Sequence, residues 1–459
     1  MTEGPGPDAP RALLRRRDGV AILVGIVIGA GIFKTPSMVA GVTGDPGWML
    51  VAWVLGAVVS LAGALCYAEL ACAYRHAGGD YHFLTRAYGR DASFLYAWAR
   101  ATVINTGAIA LLAFVFGDYV ATLLPAVPPA AWAAAIVVVL AIVNVIGLRA
   151  SAHTQNWLTM VEVAGLVAVA IAGALAAPAT PVPAAFAAAP APGLFGLAMV
   201  FVLLTYGGWN EAAYLSAELA GGRRAIVPVL IVALAIITAA YLAVNVALLH
   251  GLGLAGLAAS KAPGADVMAR AFGAWGSHLL ATFVGVAALT SINATMIVGA
   301  RTNYAMARDW PALRFMGGWH ATRGTPIAAH VVQAAIALAL VGFGSLQHDG
   351  FESMVEFTAP VFWSFLLLVG IAVFVLRARD PRAERPFRLP LYPLTPLVFC
   401  AACAWLAWSS FAYAASRDAV HVSVGVMGAG VVAWLAMRLH ARRAPPVVAV
   451  VPDQRGGTV

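Results

Sequence analysis

The sequence predicts an all-α membrane protein of twelve transmembrane helices, with the first and sixth helices broken near their midpoints. Three observations predict it. Of 459 residues, 62% are hydrophobic and only 10% charged, against about 25% charged in a soluble domain. So much apolar surface requires the bilayer as its solvent. Apolar runs of spanning length, roughly 20 residues, recur twelve times, and two of them are interrupted by closely spaced glycines.

The runs cover 19–42, 48–73, 93–123, 130–148, 155–176 and 194–217 in the first part of the chain. They continue over 225–250, 277–303, 326–343, 353–376, 394–415 and 419–437. This divides the chain into a tail (1–18), a first five-helix unit (19–176), a second (194–376), two trailing helices (394–437) and a final tail (438–459). The longest connections, 74–92, 177–193, 251–276 and 304–325, are too short for a separate soluble domain. The first apolar run exceeds a signal-peptide core and lacks a small-residue cleavage site, so it counts as a span.

Charge orients the spans. With the N-terminus inside, 23 of the 28 Lys and Arg residues fall on one face and three (Lys261, Arg270, Arg417) on the other. That bias places both termini in the cytoplasm of a bacterial inner membrane and excludes a nucleic-acid site as the meaning of the net +8. The four cysteines read as small apolar residues, because Cys400 and Cys403 lie in an apolar run without zinc-spaced partners. No metal site and no cofactor is expected, and the oligomeric state, monomer or homo-oligomer, stays open.

The first span reads Gly25-Ile-Val-Ile-Gly29-Ala-Gly31-Ile-Phe33-Lys-Thr-Pro36, poor material for a continuous helix. A nucleotide-binding glycine loop is excluded, since no strand or ribose-binding acid accompanies it. Close helix packing through Gly25 and Gly29 would explain this span alone. The sixth span, Leu203-Leu204-Thr205-Tyr206-Gly207-Gly208-Trp209-Asn210-Glu211, carries its own break at the corresponding place in the second unit. Paired interruptions point to an inverted-repeat transporter with its substrate at the breaks. The candidate site is Val27, Ile28, Gly29, Ala30 and Gly31 with Leu204, Tyr206, Gly207, Gly208 and Asn210. Amides of Ala30 and Gly31 suit an anion, and carbonyls at Val27, Leu204 and Gly207 suit an ammonium. An α-amino acid carries both groups.

At these residues the chain resembles the amino acid–polyamine–organocation permeases. The resemblance rests on Ile28-Gly-Ala-Gly-Ile-Phe33 and Ala64-Leu-Cys-Tyr-Ala-Glu-Leu70, on Ala77-Gly-Gly-Asp-Tyr81 and Ala87-Tyr-Gly89, and on Tyr206-Gly-Gly-Trp-Asn210, Met306-Ala-Arg-Asp309 and Arg385-Pro-Phe-Arg-Leu-Pro390 with Tyr392-Pro393. Tyr206-Gly-Gly-Trp-Asn210 is most similar to the L-type amino-acid transporter branch. The resemblance implies a LeuT-like fold, a 5+5 inverted repeat with two trailing helices. It implies alternating access, in which spans 1, 2, 6 and 7 rock against spans 3–5 and 8–10. Two departures matter: Leu204 stands where that branch has an aromatic gate. Glu162 stands seven residues after Gln155, where the family has a Lys that substitutes for a bound sodium ion.

Ionisable residues within spans are functional candidates by default. Glu162 is expected either to bind a proton or cation that couples transport, or to pair with Lys34 or Arg100. Lys34 is expected to snorkel to the outer surface or to attract a substrate carboxylate. Arg100 is expected to pair with an acid or a helix end. Glu211 would select a cationic side chain or make a structural hydrogen bond. Glu69 and Glu218 would pair with loop arginines such as Arg75 and Arg223. Ser291 and Asn293 would line a cation site or join helices. Amino-acid transport, with protons as a possible co-substrate, is the expected function; a polyamine or cationic amino-acid carrier and an uncoupled exchanger are the alternatives. A membrane-embedded hydrolase is disfavoured, since the chain contains neither H-E-x-x-H nor G-x-S-x-G.

Overall fold

A computed structural model describes residues 16–74, 79–146, 152–178, 185–211, 226–320, 323, 325–347, 349–416 and 420–443. Almost all of these residues are helical. Helix α1 (Arg16–Val27) leads through a 3₁₀ turn (Ala30–Phe33) into α2 (Thr35–Thr43). Next come α3 (Pro46–Ala73), α4 (Gly79–Tyr88) and α5 (Arg90–Ala99), the last running through a π-helical turn (Arg100–Ile104) into α6 (Asn105–Leu123). Helices α7 (Pro129–Ile146), α8 (Ala152–Leu175) and α9 (Pro192–Thr205) follow, then a 3₁₀ turn (Trp209–Glu211). The remainder is α10 (Ile226–Ala259), α11 (Pro263–Asp309), α12 (Ile327–Ser345), α13 (Gly350–Arg379), α14 (Leu394–Ser416) and α15 (Val420–Arg443).

Among the described residues, nine helical stretches are long and apolar enough to cross a membrane, and Met160–Leu175 and Pro192–Thr205 are shorter apolar helices. The first expected span is absent from the nine because its break leaves two pieces of 12 and 9 residues. The run at 194–217 is likewise helical only to Thr205, and 212–225 lies outside the described residues. Helices α10 and α11 extend well beyond the apolar runs read from sequence. Each bends at a glycine with positive φ, Gly253 and Gly273 (both 69°), which returns the crossing stretches to near 226–252 and 274–303.

The exposed large apolar side chains face outward, as in α7 with Val138, Val139, Ile142 and Ile146, where lipid solvates them. Inside, small residues let helices approach closely. A Cβ on Gly63 of α3 would stand 2.4 Å from the Trp209 ring and 2.5 Å from Phe399. Gly63 is therefore where α3 receives the segment after the second break.

The connection from α2 to α3 turns at Gly44 (φ 62°), and Asp45 caps α3. One carboxylate oxygen of Asp45 accepts from the amides of Gly47 (2.8 Å), Trp48 (3.0 Å) and Phe186 (3.0 Å), and the other accepts from Ala187 (2.9 Å). These bonds hold Phe186 at φ 63°, with its ring edge-on to Trp48 at 5.9 Å. Burial pushes the Asp45 pKa up, but the four amides outweigh it and hold the carboxyl below its ordinary value. A depressed carboxylate contributes stability above its unfolded pKa of about 3.9, and that stability is lost as pH falls through the lower folded value. Asp45→Ala is expected to cost about 2 kcal/mol at neutral pH, read by thermal unfolding in detergent. The difference from wild type should shrink below pH 4.

Candidate substrate site at two helix breaks

Helix α1 ends where Ile28 N–H makes its last helical bond, to Val24 O at 2.8 Å. Gly29 is extended (φ −117°, ψ −177°), and the 3₁₀ turn follows. Pro36 sits at the start of α2, where its missing N–H costs nothing. Apart from the turn itself, no hydrogen bond engages the amides of Gly29, Ala30 or Gly31 among the described residues. They form an uncompensated positive helix end.

The second break mirrors this. Tyr206 N–H reaches Val202 O at 2.9 Å and Gly207 N–H reaches Leu204 O at 3.1 Å, which closes α9. Gly208 then takes φ 108°, a conformation that disfavours a side chain. The two breaks are tied together. The Tyr241 hydroxyl on α10 lies 2.9 Å from Val27 O and 3.1 Å from Thr205 O, the carbonyls that end the two helices. Thr205 Oγ1 and Thr35 Oγ1 are 2.6 Å apart. Trp53, Tyr206 and Tyr241 pack as an aromatic triangle, with ring centres 5.0–5.9 Å apart.

Both breaks open on one cavity of about 360 Å³. Gly29, Gly31, Leu204, Gly207, Gly208 and Asn210 line one side of it, and Ser291 on α11 lies beside them. The opposite wall is largely apolar and comes from α6 and α13, including Ala108, Leu111, Phe351 and Phe362. The cavity continues toward the Arg-rich face as far as Asp80, Tyr96 and Arg100.

The sequence-predicted residues divide accordingly. Val27 lines the cavity, but its carbonyl is already in contact with Tyr241, so it is not the unoccupied acceptor that the sequence suggested. Ile28 and Ala30 are buried and do not line the cavity. Tyr206 turns away from the cavity into the aromatic triangle and is fully buried. Leu204 lines the cavity and is partly exposed to it. Asn293 is not on the cavity wall; its side-chain oxygen accepts from Asn144 Nδ2 at 2.7 Å, joining α7 and α11. The side chains of Glu211 and Gln155 lie outside the described residues, as do Arg75, Glu218 and Arg223.

The charges differ most from expectation. Lys34 does not snorkel: it is fully buried, 2.9 Å from Asp118, 3.8 Å from Asp349 and 3.2 Å from Lys261 O. Two carboxylates at the Arg-poor ends of α6 and α13 hold it inside, an ion cluster that replaces water. Lys34→Met keeps length and removes charge. With the two aspartates about one-fifth exposed, the expected loss is about 2 kcal/mol, measured by thermal unfolding. Arg100 does pair with an acid. Its Nη1 donates to Tyr96 Oη (2.9 Å), which donates to Asp80 (2.7 Å), and Asp80 lies 4.0 Å from Arg100. Glu69 takes arginines from far along the chain: Arg377 bonds it at 2.7 and 2.5 Å, Arg385 approaches to 3.7 Å, and Leu389 N–H donates at 2.7 Å. Glu162 pairs with neither Lys34 nor Arg100; it is buried, with both oxygens unbonded among the described residues.

Sequence reasoning missed Tyr241, Thr35 and Thr205. A lone tyrosine in the apolar run 225–250 was the available signal, because a buried tyrosine hydroxyl needs a partner.

A multi-helix membrane protein whose two opposed helix breaks share one internal cavity is a transporter by architecture. The chain belongs to the amino acid permease family, whose sequence profile matches residues 18–434. It is 27% identical over 384 residues to the human (Homo sapiens) b(0,+)-type amino acid transporter 1, covering 81% of this chain and 77% of that one. It is 26% identical over 386 residues to the serine/threonine exchanger SteT of Bacillus subtilis (strain 168), covering 81% and 85%. The mouse (Mus musculus) Asc-type amino acid transporter 1 is 28% identical over 402 residues, covering 83% and 74%.

Proposed function

We propose that this permease moves an α-amino acid across the membrane by alternating access, with the substrate held between the two breaks. The observation that carries it is the pair of helix ends tied at Tyr241, with Gly29 and Gly31, whose amides are unbonded outside the turn, lining one cavity with Leu204 and Gly207. The substrate carboxylate sits on those amides, and its ammonium meets carbonyl oxygen on the Tyr206–Gly208 side together with Asn210. The side chain then extends toward the apolar wall of α6 and α13. In this reading the fold is the twelve-helix LeuT-like arrangement of two inverted five-helix units and two trailing helices. The Arg-rich face lies in the cytoplasm of a bacterial inner membrane, with both termini there.

The proposed moving spans 1, 2, 6 and 7 meet the static ones at two ion clusters. Lys34 with Asp118 and Asp349 closes the Arg-poor face, and Glu69 with Arg377 fastens the Arg-rich face. The relatives include a named exchanger, which favours exchange as a second mode of the same site. Counterflow into liposomes preloaded with unlabelled substrate is the test, using radiolabelled leucine, serine, arginine and putrescine. Accumulation of at least one amino acid is expected; accumulation of putrescine alone overturns the substrate class in favour of a polyamine carrier.

A further inference from the structure

Glu162 is a buried carboxylate that none of the ion clusters described above uses. It has 1% of its surface exposed, and neither oxygen has a hydrogen-bond partner among the described residues. Helix α8, which carries it, packs against α1, α10 and α11.

Among the described residues, the neighbouring helices offer it no counter-ion. On α1, Arg16 and Arg17 are exposed at the helix start. On α11, Asp266, Arg270 and His278 lie toward one end, and Arg301, Tyr304, Arg308 and Asp309 toward the other. On α10, His250 is bonded to Gly173 O at 2.7 Å. The remaining titratable group described on these helices is Tyr241 of α10, which lies near Glu162. Register agrees with this. Helix α8 meets α10 at Gly173 against Ala247. The two helices run in the same direction through the membrane, so Glu162 falls level with residue 236, little more than one turn from Tyr241.

A carboxylate at this place would be a bare charge in an apolar medium, whereas a carboxylic acid is neutral. A sodium ion would need several oxygens around it, whereas among the described residues no hydroxyl or amide hydrogen-bonds to this side chain. A proton needs none. We infer that Glu162 carries one proton across the membrane with each amino acid, so that the permease can work as a proton-coupled symporter; this rests on the transport reading above. The proton binds a Glu162 oxygen from water when the Arg-poor face is open, crosses as the neutral acid, and passes to water at the Arg-rich face. Tyr241 links that event to the substrate site, because its hydroxyl joins the carbonyls that end both broken helices.

The test uses the full chain in liposomes containing a trapped pH dye, with leucine, serine and arginine supplied separately. For one-to-one coupling, a one-unit inside-alkaline gradient should raise accumulation in vesicles without internal substrate about tenfold. Addition of the transported amino acid should also acidify the lumen. Glu162→Gln should lose both effects while counterflow stays measurable, and Glu162→Asp should recover part of the acidification. Wild-type accumulation that ignores the gradient, or a Glu162→Gln variant that still acidifies the lumen, overturns the inference. Should Glu162→Gln not fold, wild-type acidification and its change in Glu162→Asp decide. Absence of counterflow for all three amino acids would instead sink the transport reading itself.

Discussion

Gly31→Val is expected to abolish counterflow, by at least ~100-fold, in a protein that still folds. A Cβ at residue 31 would stand 3.8 Å from Thr205 Cγ2 and Oγ1, an ordinary van der Waals contact, so the backbone tolerates a side chain there. The space beyond that Cβ is the cavity itself. Two further methyl groups would enter it between the breaks, beside the amides assigned to the carboxylate. A misplacement of about 1 Å at such a site already costs on the order of 10²-fold, and a filled site costs no less. Gly207→Ala makes the contrast: its Cβ would meet Leu204 O at 2.8 Å, a backbone atom that cannot step aside, so folding and transport should fall together. Thermal unfolding alongside counterflow separates the two cases. Normal counterflow by folded Gly31→Val would remove the substrate from the first break.

The breaks themselves were legible in the sequence because backbone chemistry alone produces them. Gly29 and Gly31 weaken a helix wherever they stand, Pro36 favours a new helix start, and Gly208 is suited to the positive φ it adopts. Side-chain destinations were less legible, since they depend on partners far away in the chain. Lys34 looked like a snorkelling lysine because its two carboxylates are 84 and 315 residues away. Glu69 invited pairing with a nearby loop arginine, and the fold brings it Arg377 from 308 residues away. Tyr206, next to two cavity glycines, was easily assigned to the site. The helical turn at the end of α9 rotates it onto Trp53. Periodicity and composition give spans and breaks, whereas the long-range packing of α3, α6, α10 and α13 decides which polar groups meet.

Glu69→Ala is the stability prediction with the largest expected effect, a loss of about 3–4 kcal/mol. The Glu69 side chain is 3% exposed, and those of its partners Arg377 and Arg385 are 21% and 9% exposed. Removing the carboxylate strands the Arg377 guanidinium and the Leu389 amide, while Arg385 keeps its bonds to Leu376 O and Asp380 O at 2.9 Å. A charge left in partly apolar surroundings costs far more than the lost attraction alone. Arg377→Lys should fall between wild type and Glu69→Ala, because an ammonium keeps the charge but cannot reproduce the two-pronged contact at 2.7 and 2.5 Å. The exposed pair Arg438–Asp91, with side chains 48% and 41% accessible, supplies the control. Arg438→Ala should change stability by less than about 1 kcal/mol. If Glu69→Ala unfolds no earlier than Arg438→Ala, burial does not govern this ion cluster. If it unfolds early and also raises the leak of substrate from liposomes, the cluster fastens α3 to α13 against opening at the Arg-rich face.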